Sequence, residues 1–295
     1  MLPHPEEYDA LKDARQRIRK YAGIADILTI SHYHHDHFTP NFTDTIWLAS
    51  SLREAQRIYR GKTVLAKDAR SSINVAQRRR GWIFQSFLRK IDVETVVADG
   101  RSFSYGNTTV RFSAALPHGE DSTELGSVLA TVIESGSEKL IHASDIQGPI
   151  SEKALQFILS EWPSAIIMGG PPTYLSGIKV SKDSISRGMS NVATVAKSVP
   201  LVIVDHHLLR AEDSLGELSA ISAEIRALGG SIMTAAEYVG ERPRLLEANR
   251  RALYQQKPPS RQFIKWTKMS GEKQRLVKPP VERRRGKKGR ISESR

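Results

Sequence analysis

Four histidines and one aspartate crowd into six consecutive positions near the start of the chain, directly after a predicted strand. Residues 32–37 read H-Y-H-H-D-H. His32 and His34 are two positions apart, so in an extended segment their side chains project to the same side. Asp36 and His37 follow after the chain bends, and they can face a second point nearby. Imidazole nitrogens and carboxylate oxygens are ligands for zinc, manganese or iron. One loop can therefore supply ligands to two adjacent metal ions.

Each of these histidines also has a purely structural interpretation. A lone histidine is more often a surface or core residue than a ligand, and His35 has the opposite parity to His32 and His34, which argues against a ligand role. The whole pattern H-x-H-x-D-H carries only a small false-positive risk. The pattern therefore favours a metal site over a structural histidine cluster.

Apolar periodicity predicts a layered α/β architecture. Helical spacing and turn signals predict helices at 8–21, 52–59 and 73–88, and strands at 25–31, 45–50, 62–67, 94–98, 108–115, 126–134 and 139–145. After Pro149, helix and strand alternate, with helices at 151–160, 181–197, 217–228 and 244–256 and strands at 164–170, 201–205 and 231–235. Strands in the middle followed by alternating α and β elements fit stacked layers of helix and sheet.

The positive charge is concentrated at the C-terminal end of the chain. Residues 257–295 carry 14 Lys and Arg against 3 Asp and Glu, while the whole chain has 44 and 32, so the rest is nearly neutral. Prolines and like charges cluster in this segment, and we expect it to be a disordered basic tail beside a folded domain at 1–256. The tail is interpreted either as a nucleic-acid anchor, with Phe263 or Trp266 stacking on bases, or as a solvated terminus without a partner.

Composition excludes several classes of protein. The chain has no cysteine, which removes disulfides and thiolate metal ligands. No stretch approaches 18 consecutive apolar residues, and the first residues lack the apolar middle of a signal peptide. We therefore expect a cytoplasmic protein that does not associate with a membrane.

The histidine motif, together with residues far downstream, resembles the signature of the metallo-β-lactamase superfamily. That family adds a lone histidine, then an aspartate after a strand, then a final histidine after another strand. This chain offers His118 in ALPHGE, Asp145 in KLIHASDIQG, and His206 and His207 in LVIVDHHLLR. The resemblance implies a four-layer αββα sandwich with the metals at one edge of its two sheets.

A closer resemblance is to an uncharacterised archaeal subfamily of these hydrolases, over about residues 3 to 250. It is carried by SHYHHDHFTP, PHG, SDIQGPIS, GGPPTYL and DHHLLR. The superfamily places further strands ahead of the histidine motif, and only 31 residues precede His32 here. We expect that the usual first strands are missing, which would leave an open sheet edge. Either the chain was started from an internal methionine, which we favour, or this member lacks those strands.

The resemblance implies a role for each candidate residue. His32, His34 and His118 would hold the first ion. Asp36, His37 and one of His206 and His207 would hold the second, and Asp145 would bridge the two. Zinc is the first expectation for both ions, with manganese or iron as alternatives. We predict Asp36, Asp145 and His206 as the catalytic residues, and the spare histidine of the 206/207 pair as a proton donor to the leaving group.

Two divalent cations that share a water produce hydroxide near neutral pH, so the predicted reaction is hydrolysis. The expected substrate is a small anionic ester, lactone or phosphoester, which Tyr174, Lys179 or Lys182 could contact. The stretch around these residues reads equally well as a tight turn before a Ser-capped helix. The alternatives are a nuclease or phosphodiesterase anchored by the basic tail, and a nucleic-acid-associated protein with an inactive metal site.

Overall fold

The structure is a computed structural model that describes residues 1–277 and 279–281. The helices are α1 (Pro5–Ile24), α2 (Leu52–Tyr59), α3 (Val75–Lys90), α4 (Glu152–Glu161), α5 (Lys182–Ser198), α6 (Ser214–Arg226), α7 (Ala235–Tyr238), α8 (Arg250–Gln256), α9 (Arg261–Thr267) and α10 (Gly271–Leu276). The strands are β1 (Ile27–Ile30), β2 (Thr63–Ala66), β3 (Thr95–Val97), β4 (Ser102–Tyr105), β5 (Thr108–Phe112), β6 (Leu116–Pro117), β7 (Ser127–Val128), β8 (Thr131–Ser135), β9 (Glu138–His142), β10 (Ala165–Met168), β11 (Leu201–Val204) and β12 (Ser231–Thr234).

The N-terminal sheet contains β1, β2 and β3 in that order, all parallel. Side chains alternate across β2 with the period of two that a strand imposes. Val64 and Ala66 pack with α2 and α3, where Ile58 and Phe84 are buried. Leu65 points to the opposite face of the sheet. The sheet therefore has one face on helices and the other face on a second sheet.

The second sheet has the order β12-β11-β10-β9-β8-β5-β4. Its strands β9 to β12 are parallel, and β4, β5, β8 and β9 are joined antiparallel. On one face Phe112 of β5 packs with Leu65 of the first sheet. On the other face lie buried residues of the helices that connect the parallel strands, Ile158, Val192 and Ile225.

In the described part of the chain the layers therefore run helices, sheet, sheet, helices. This arrangement confirms the predicted metallo-β-lactamase-like αββα sandwich. Strand β1 lies at the end of the N-terminal sheet among the described residues. The expectation that further strands belong ahead of it stays a prediction. None of the described helices is long and apolar enough to cross a membrane.

Two element predictions were wrong. Residues 45–50 do not form a strand. The Asp44 carboxylate accepts hydrogen bonds from the backbone N–H groups of Ile46, Trp47 and Leu48, and these bonds hold the segment in a turn. The helix predicted at 244–256 begins only at Arg250, and the residues before it are irregular.

The expectation of a disordered tail from residue 257 onward was also wrong for the part that the structure describes. Helices α9 and α10 fold back onto α1, where Phe263 and Trp266 are 2% exposed and contact Tyr8. Side-chain hydrogen bonds join Thr45 to Gln274 and His4 to the carbonyl of residue 257. Because both rings are buried, they are not available to stack on bases. Residues 282–295 of the predicted tail lie outside the described residues.

Candidate metal centre

The candidate ligands lie in loops that leave the sheets at one edge. The histidine motif follows β1, Asp145 follows β9, and His206 follows β11. Strands β9 and β11 are parallel to β10 between them, so their carboxyl ends meet at the same edge. Ser31 joins this edge to the first sheet, because its hydroxyl lies 2.8 Å from the Ser144 hydroxyl and its carbonyl accepts a backbone hydrogen bond from Leu129, just before β8. Residues more than 170 positions apart are brought together in this way.

Asp145 is the centre of the site. Its carboxylate is almost completely buried, and imidazole nitrogens approach both of its oxygens. Oδ1 lies 3.0 Å from His206 Nε2. Oδ2 lies within 3.5 Å of Nε2 of four further histidines, at 2.9 Å from His37, 3.1 Å from His118, 3.4 Å from His32 and 3.5 Å from His207.

Among the described residues, the potential ligand atoms form two groups that share Asp145. His32, His34, His118 and Asp145 make one group, and His37, Asp145 and His206 make the other. Within each group the ligand atoms lie within 4.8 Å of one another. The arrangement has the size and composition of two adjacent metal sites bridged by one carboxylate.

The electrostatics of the site suit cation binding. Burial raises the pKa of the Asp145 carboxyl, but the hydrogen bond with His118 and the close approach of His206 and other histidines outweigh it and hold the pKa far below the usual range. Burial lowers the pKa of His32 to about 3 and that of His34 to about 4, so both rings are neutral at pH 7. Neutral imidazoles beside an ionised carboxylate are the protonation states that a divalent metal requires.

His206 differs from these two histidines. Burial lowers its pKa, but the nearby carboxylates of Asp145 and Asp205 outweigh burial and raise the pKa to about 9. The two carboxylates thus attract positive charge to this point of the site. A metal ion can supply that charge in place of the proton.

Several buried ligand atoms have no hydrogen-bond partner in the part of the chain that the structure describes. They include His32 Nε2, Asp145 Oδ1 and His206 Nε2. A buried polar atom without a partner costs about 1–3 kcal/mol. These atoms point at one another across the site, and a shared cation would satisfy them. The residues therefore fit a metal pair.

Two side chains orient the ligands from behind. The Ser31 hydroxyl lies 3.0 Å from His32 Nδ1, and Gln147 Nε2 lies 3.3 Å from His118 Nδ1. In both cases the neighbouring side chain contacts Nδ1 and Nε2 faces the site, as is usual for metal-binding histidines. The sequence analysis did not find these two residues, although each is close in sequence to a candidate ligand.

Two predicted site residues lie apart from the two ligand groups or at their margin. Asp36 is 54% exposed, and its Oδ2 is 3.9 Å from His37 Nε2. His207 belongs to neither group among the described residues, and both of its ring nitrogens lack a hydrogen-bond partner there. His35, which was expected not to be a ligand, packs its ring edge-on against Phe38 and Phe42.

A cavity of about 350 Å³ opens at the second ligand group. Its lining includes His37 and His206, together with three residues to which the sequence analysis gave no catalytic role: His142, Asp205 and Arg210. His142 is the last residue of β9. Arg210 is the last residue of DHHLLR, one of the stretches that carry the subfamily resemblance, but the resemblance implied no role for it.

The loop after β10 also shapes the site. Gly169 lies so close to the 206/207 pair that a Cβ there would be 3.1 Å from the His207 ring and 3.3 Å from the His206 ring. The backbone at this glycine therefore approaches both rings closely. Lys179 and Lys182 are exposed and do not line the 350 Å³ cavity, while Ser181 caps α5.

Comparison with known proteins gives relatives of the full domain. The chain is 40% identical to the UPF0282 protein of Methanopyrus kandleri over 248 residues, which cover 84% of this chain and 83% of that protein. The chain belongs to the UPF0282 family. A second UPF0282 relative, from Thermococcus sibiricus, is 37% identical over 255 residues and is aligned over 86% of this chain and 81% of its own length. Both UPF0282 relatives are archaeal, as the motif resemblance implied.

No family model matches the chain. Among solved structures, the isothiocyanate hydrolase from Delia radicum gut bacteria has a TM-score of 0.48 at 12% identity, with 74% of this UPF0282 chain and 77% of that chain aligned. The metallo-β-lactamase fold protein YhfI from Bacillus subtilis has a TM-score of 0.44 at 16% identity, over 72% and 76% of the two chains. Both are distant likenesses.

Proposed function

We propose that the protein is a metal-dependent hydrolase with two divalent cations, zinc first among the candidates, acting on a small anionic ester, lactone or phosphoester. His32, His34 and His118 would hold one ion, and His37 and His206 the other, with Asp145 between them. The observation that carries this proposal is the buried Asp145 carboxylate, whose two oxygens face separate groups of imidazole nitrogens. A structural histidine cluster would not leave so many buried nitrogen atoms without partners.

When bound, two such cations lower the pKa of a water and polarise the carbonyl or phosphoryl oxygen of a substrate. The remaining roles belong to side chains of this protein. Asp36 is exposed at the mouth of the site and can accept a proton from water. His207 is buried beside Asp145 and belongs to neither ligand group, so we assign it the transfer of a proton to the leaving group.

Asp205 supports His206 from the far side of its ring. The Asp205 Oδ2 to His206 Nδ1 distance is 3.7 Å, so modest closure of the site would form a hydrogen bond. Such a bond fixes the ring so that Nε2 faces Asp145. The carboxylate thus favours His206, rather than His207, as the ligand from this pair.

A nuclease anchored by the basic tail has less support. The aromatic rings expected to stack on bases, Phe263 and Trp266, are buried against α1. Nucleic-acid binding by residues 257–295 stays a prediction. A panel that contains a phosphodiester beside carboxylic esters and lactones distinguishes the two functions.

The test is hydrolysis by the zinc-loaded protein of 4-nitrophenyl esters, a γ-lactone and bis(4-nitrophenyl) phosphate. Asp145→Asn and His118→Ala should lower turnover of the preferred class at least 100-fold, because each removes a ligand. His35→Ala is the matched control, since this histidine of the same motif packs against Phe38 outside both ligand groups. Absence of hydrolysis across the panel, or undiminished turnover by Asp145→Asn, would refute the proposal.

A further inference from the structure

Arg210 stands at the boundary between the metal centre and a larger cavity. It ends the short turn at 208–210 that directly follows the 206/207 histidine pair. Its side chain lines the 350 Å³ cavity that contains His37 and His206. It also lines a cavity of about 840 Å³ on the far side, together with Tyr174. A ligand that spans the two cavities would therefore pass the guanidinium.

The guanidinium is held in place but keeps part of its hydrogen-bonding capacity. Nη1 donates to the Tyr174 hydroxyl at 3.2 Å, and Nε donates to Glu247 Oε2 at 3.1 Å. The guanidinium carbon lies 5.9 Å from the centroid of the Tyr174 ring. The described part of the chain offers no acceptor to Nη2. Since a guanidinium has five N–H donors in a fixed fork, this arginine can still bind an oxyanion.

The ion pair with Glu247 leaves Arg210 able to bind an anionic ligand. The Glu247 side chain is 50% exposed, and exposed ion pairs contribute little net stability. An anionic group of a ligand can compete with Glu247 or bind beside it through Nη2. A neighbouring arginine of the larger cavity, Arg250, is engaged by Glu7 at 2.7 Å and is less available.

Acidic residues on and before α6 argue against an anion in their part of the larger cavity. Glu212, Asp213 and Glu217 all line it, and Arg251 is its remaining arginine besides Arg210 and Arg250. An anionic group is therefore attracted to the Arg210 end, next to the metal centre. A substrate bound in this way has its charged end close to the candidate metal ligands.

We propose that Arg210 binds an oxyanion of the substrate, a carboxylate or a phosphate separate from the bond that is cleaved. The scissile bond then lies over the metal centre, and the rest of the substrate extends into the cavity beside Tyr174. This inference rests on the proposed hydrolase function. It adds that the enzyme selects substrates with a second, permanently charged group, and it assigns that selection to one side chain.

Selection is measured with a matched pair of esters on the zinc-loaded protein. The 4-nitrophenyl hemiester of succinate carries a carboxylate, and 4-nitrophenyl butyrate has similar length without the charge. The ratio of their kcat/KM values should fall about 10- to 100-fold in Arg210→Met, because charged hydrogen bonds to the carboxylate are lost. Arg226→Met, at the exposed end of α6, is the control and should keep the wild-type ratio.

Binding is measured separately by calorimetry with succinate and with inorganic phosphate. Arg210→Met should weaken binding of at least one of these anions about 10-fold or more, and the anion affected identifies the class. Glu247→Gln should strengthen binding of the same anion about threefold, since it removes the competing carboxylate while leaving Arg210 in place. This second variant keeps the test valid if Arg210→Met folds poorly.

The outcomes separate the two proposals. If the wild-type protein hydrolyses neither ester nor any other substrate of the panel described above, the hydrolase function fails, and Arg210 is still judged by the calorimetry. If Arg210→Met binds both anions as tightly as wild type and keeps its ester ratio, the assignment of Arg210 is overturned. Unchanged anion binding in Glu247→Gln together with unchanged binding in Arg210→Met has the same consequence.

Discussion

Replacing Gly81 by alanine should destabilise the protein, although helix propensity alone predicts the opposite. Gly81 lies within α3, where alanine is favoured over glycine by about 0.5–1 kcal/mol. A Cβ at this position, however, would lie 2.7 Å from Cε2 of Tyr33 and 2.9 Å from Cβ of Ala69. The Tyr33 ring is fully buried, and its hydroxyl bonds to the Lys67 carbonyl and to Gln85, so it cannot move aside freely.

Overpacking of this kind costs about 1–3 kcal/mol. The net effect of Gly81→Ala should therefore be a loss of about 0.5–2 kcal/mol in the free energy of unfolding, measured by urea denaturation. Gly23→Ala in α1 is the matched control, because a Cβ there meets nothing within 4 Å. It should be neutral or stabilising by up to about 1 kcal/mol.

The effect should reach the metal loop as well. Tyr33 lies between His32 and His34 in sequence, and its backbone N–H donates to Gln77 of α3. Displacement of its ring should therefore weaken zinc binding in Gly81→Ala and not in Gly23→Ala. If Gly81→Ala proves as stable as Gly23→Ala and binds zinc equally well, the close packing of α3 on the histidine loop is refuted.

Three further predictions test other parts of the structure. Trp266→Ala should lower the free energy of unfolding by about 3–5 kcal/mol in urea, as expected for a fully buried indole, and a change below 1 kcal/mol would mean that α9 is not part of the domain. Hydrogen bonds from Arg111 hold the pKa of Glu161 below its usual range, so the pair stabilises the fold at neutral pH and this stability is lost as the pH falls below about 4. Glu161→Gln should therefore destabilise the protein by about 1–2 kcal/mol at pH 7 in chemical denaturation and much less at pH 3, and an equal loss at both values would contradict the ion pair. Gln147→Ala should weaken zinc affinity about 10-fold in competition with a chelator, because His118 loses the side chain that orients its ring, and unchanged affinity would argue against that role.

The sequence predicted the layered fold because the spacing of apolar residues, which distinguishes a strand from a helix, is a local property of the chain. Val64, Leu65 and Ala66 alternate between two faces as the pattern of β2 requires, and the alternation of helix and strand after Pro149 dictates a parallel sheet. Residues 45–50 were wrongly predicted to form a strand because they are largely apolar, as strand residues often are. Their backbone groups are captured instead by the Asp44 carboxylate, a competition that apolar periodicity does not register.

The C-terminal helices escaped prediction for a different reason. Helix α9 spans seven residues, which is too short to show a helical period, and its partner Tyr8 lies at the other end of the chain.

The sequence predicted those residues of the site that stand in a motif. His32, His37 and Asp145 stand in recognisable patterns.

Arg210 and Gln147 lie in stretches that carry the resemblance, DHHLLR and SDIQGPIS, but neither is part of a metal-ligand pattern. Arg210 borders the cavity, and Gln147 contacts His118, only because the chain is folded. The sequence also left the choice within the 206/207 pair open. In the structure His206 is grouped with His37 and Asp145, and Asp205 supports it.

The number of metal ions bound per chain tests the central claim most directly. Protein reconstituted with zinc and freed of excess metal should contain two zinc ions per molecule by elemental analysis. Asp145→Asn should retain at most one, because its carboxylate is shared by both ligand groups, while His35→Ala should retain two. Wild-type protein that binds no zinc, manganese or iron, or an Asp145→Asn variant that still binds two ions, would contradict the account.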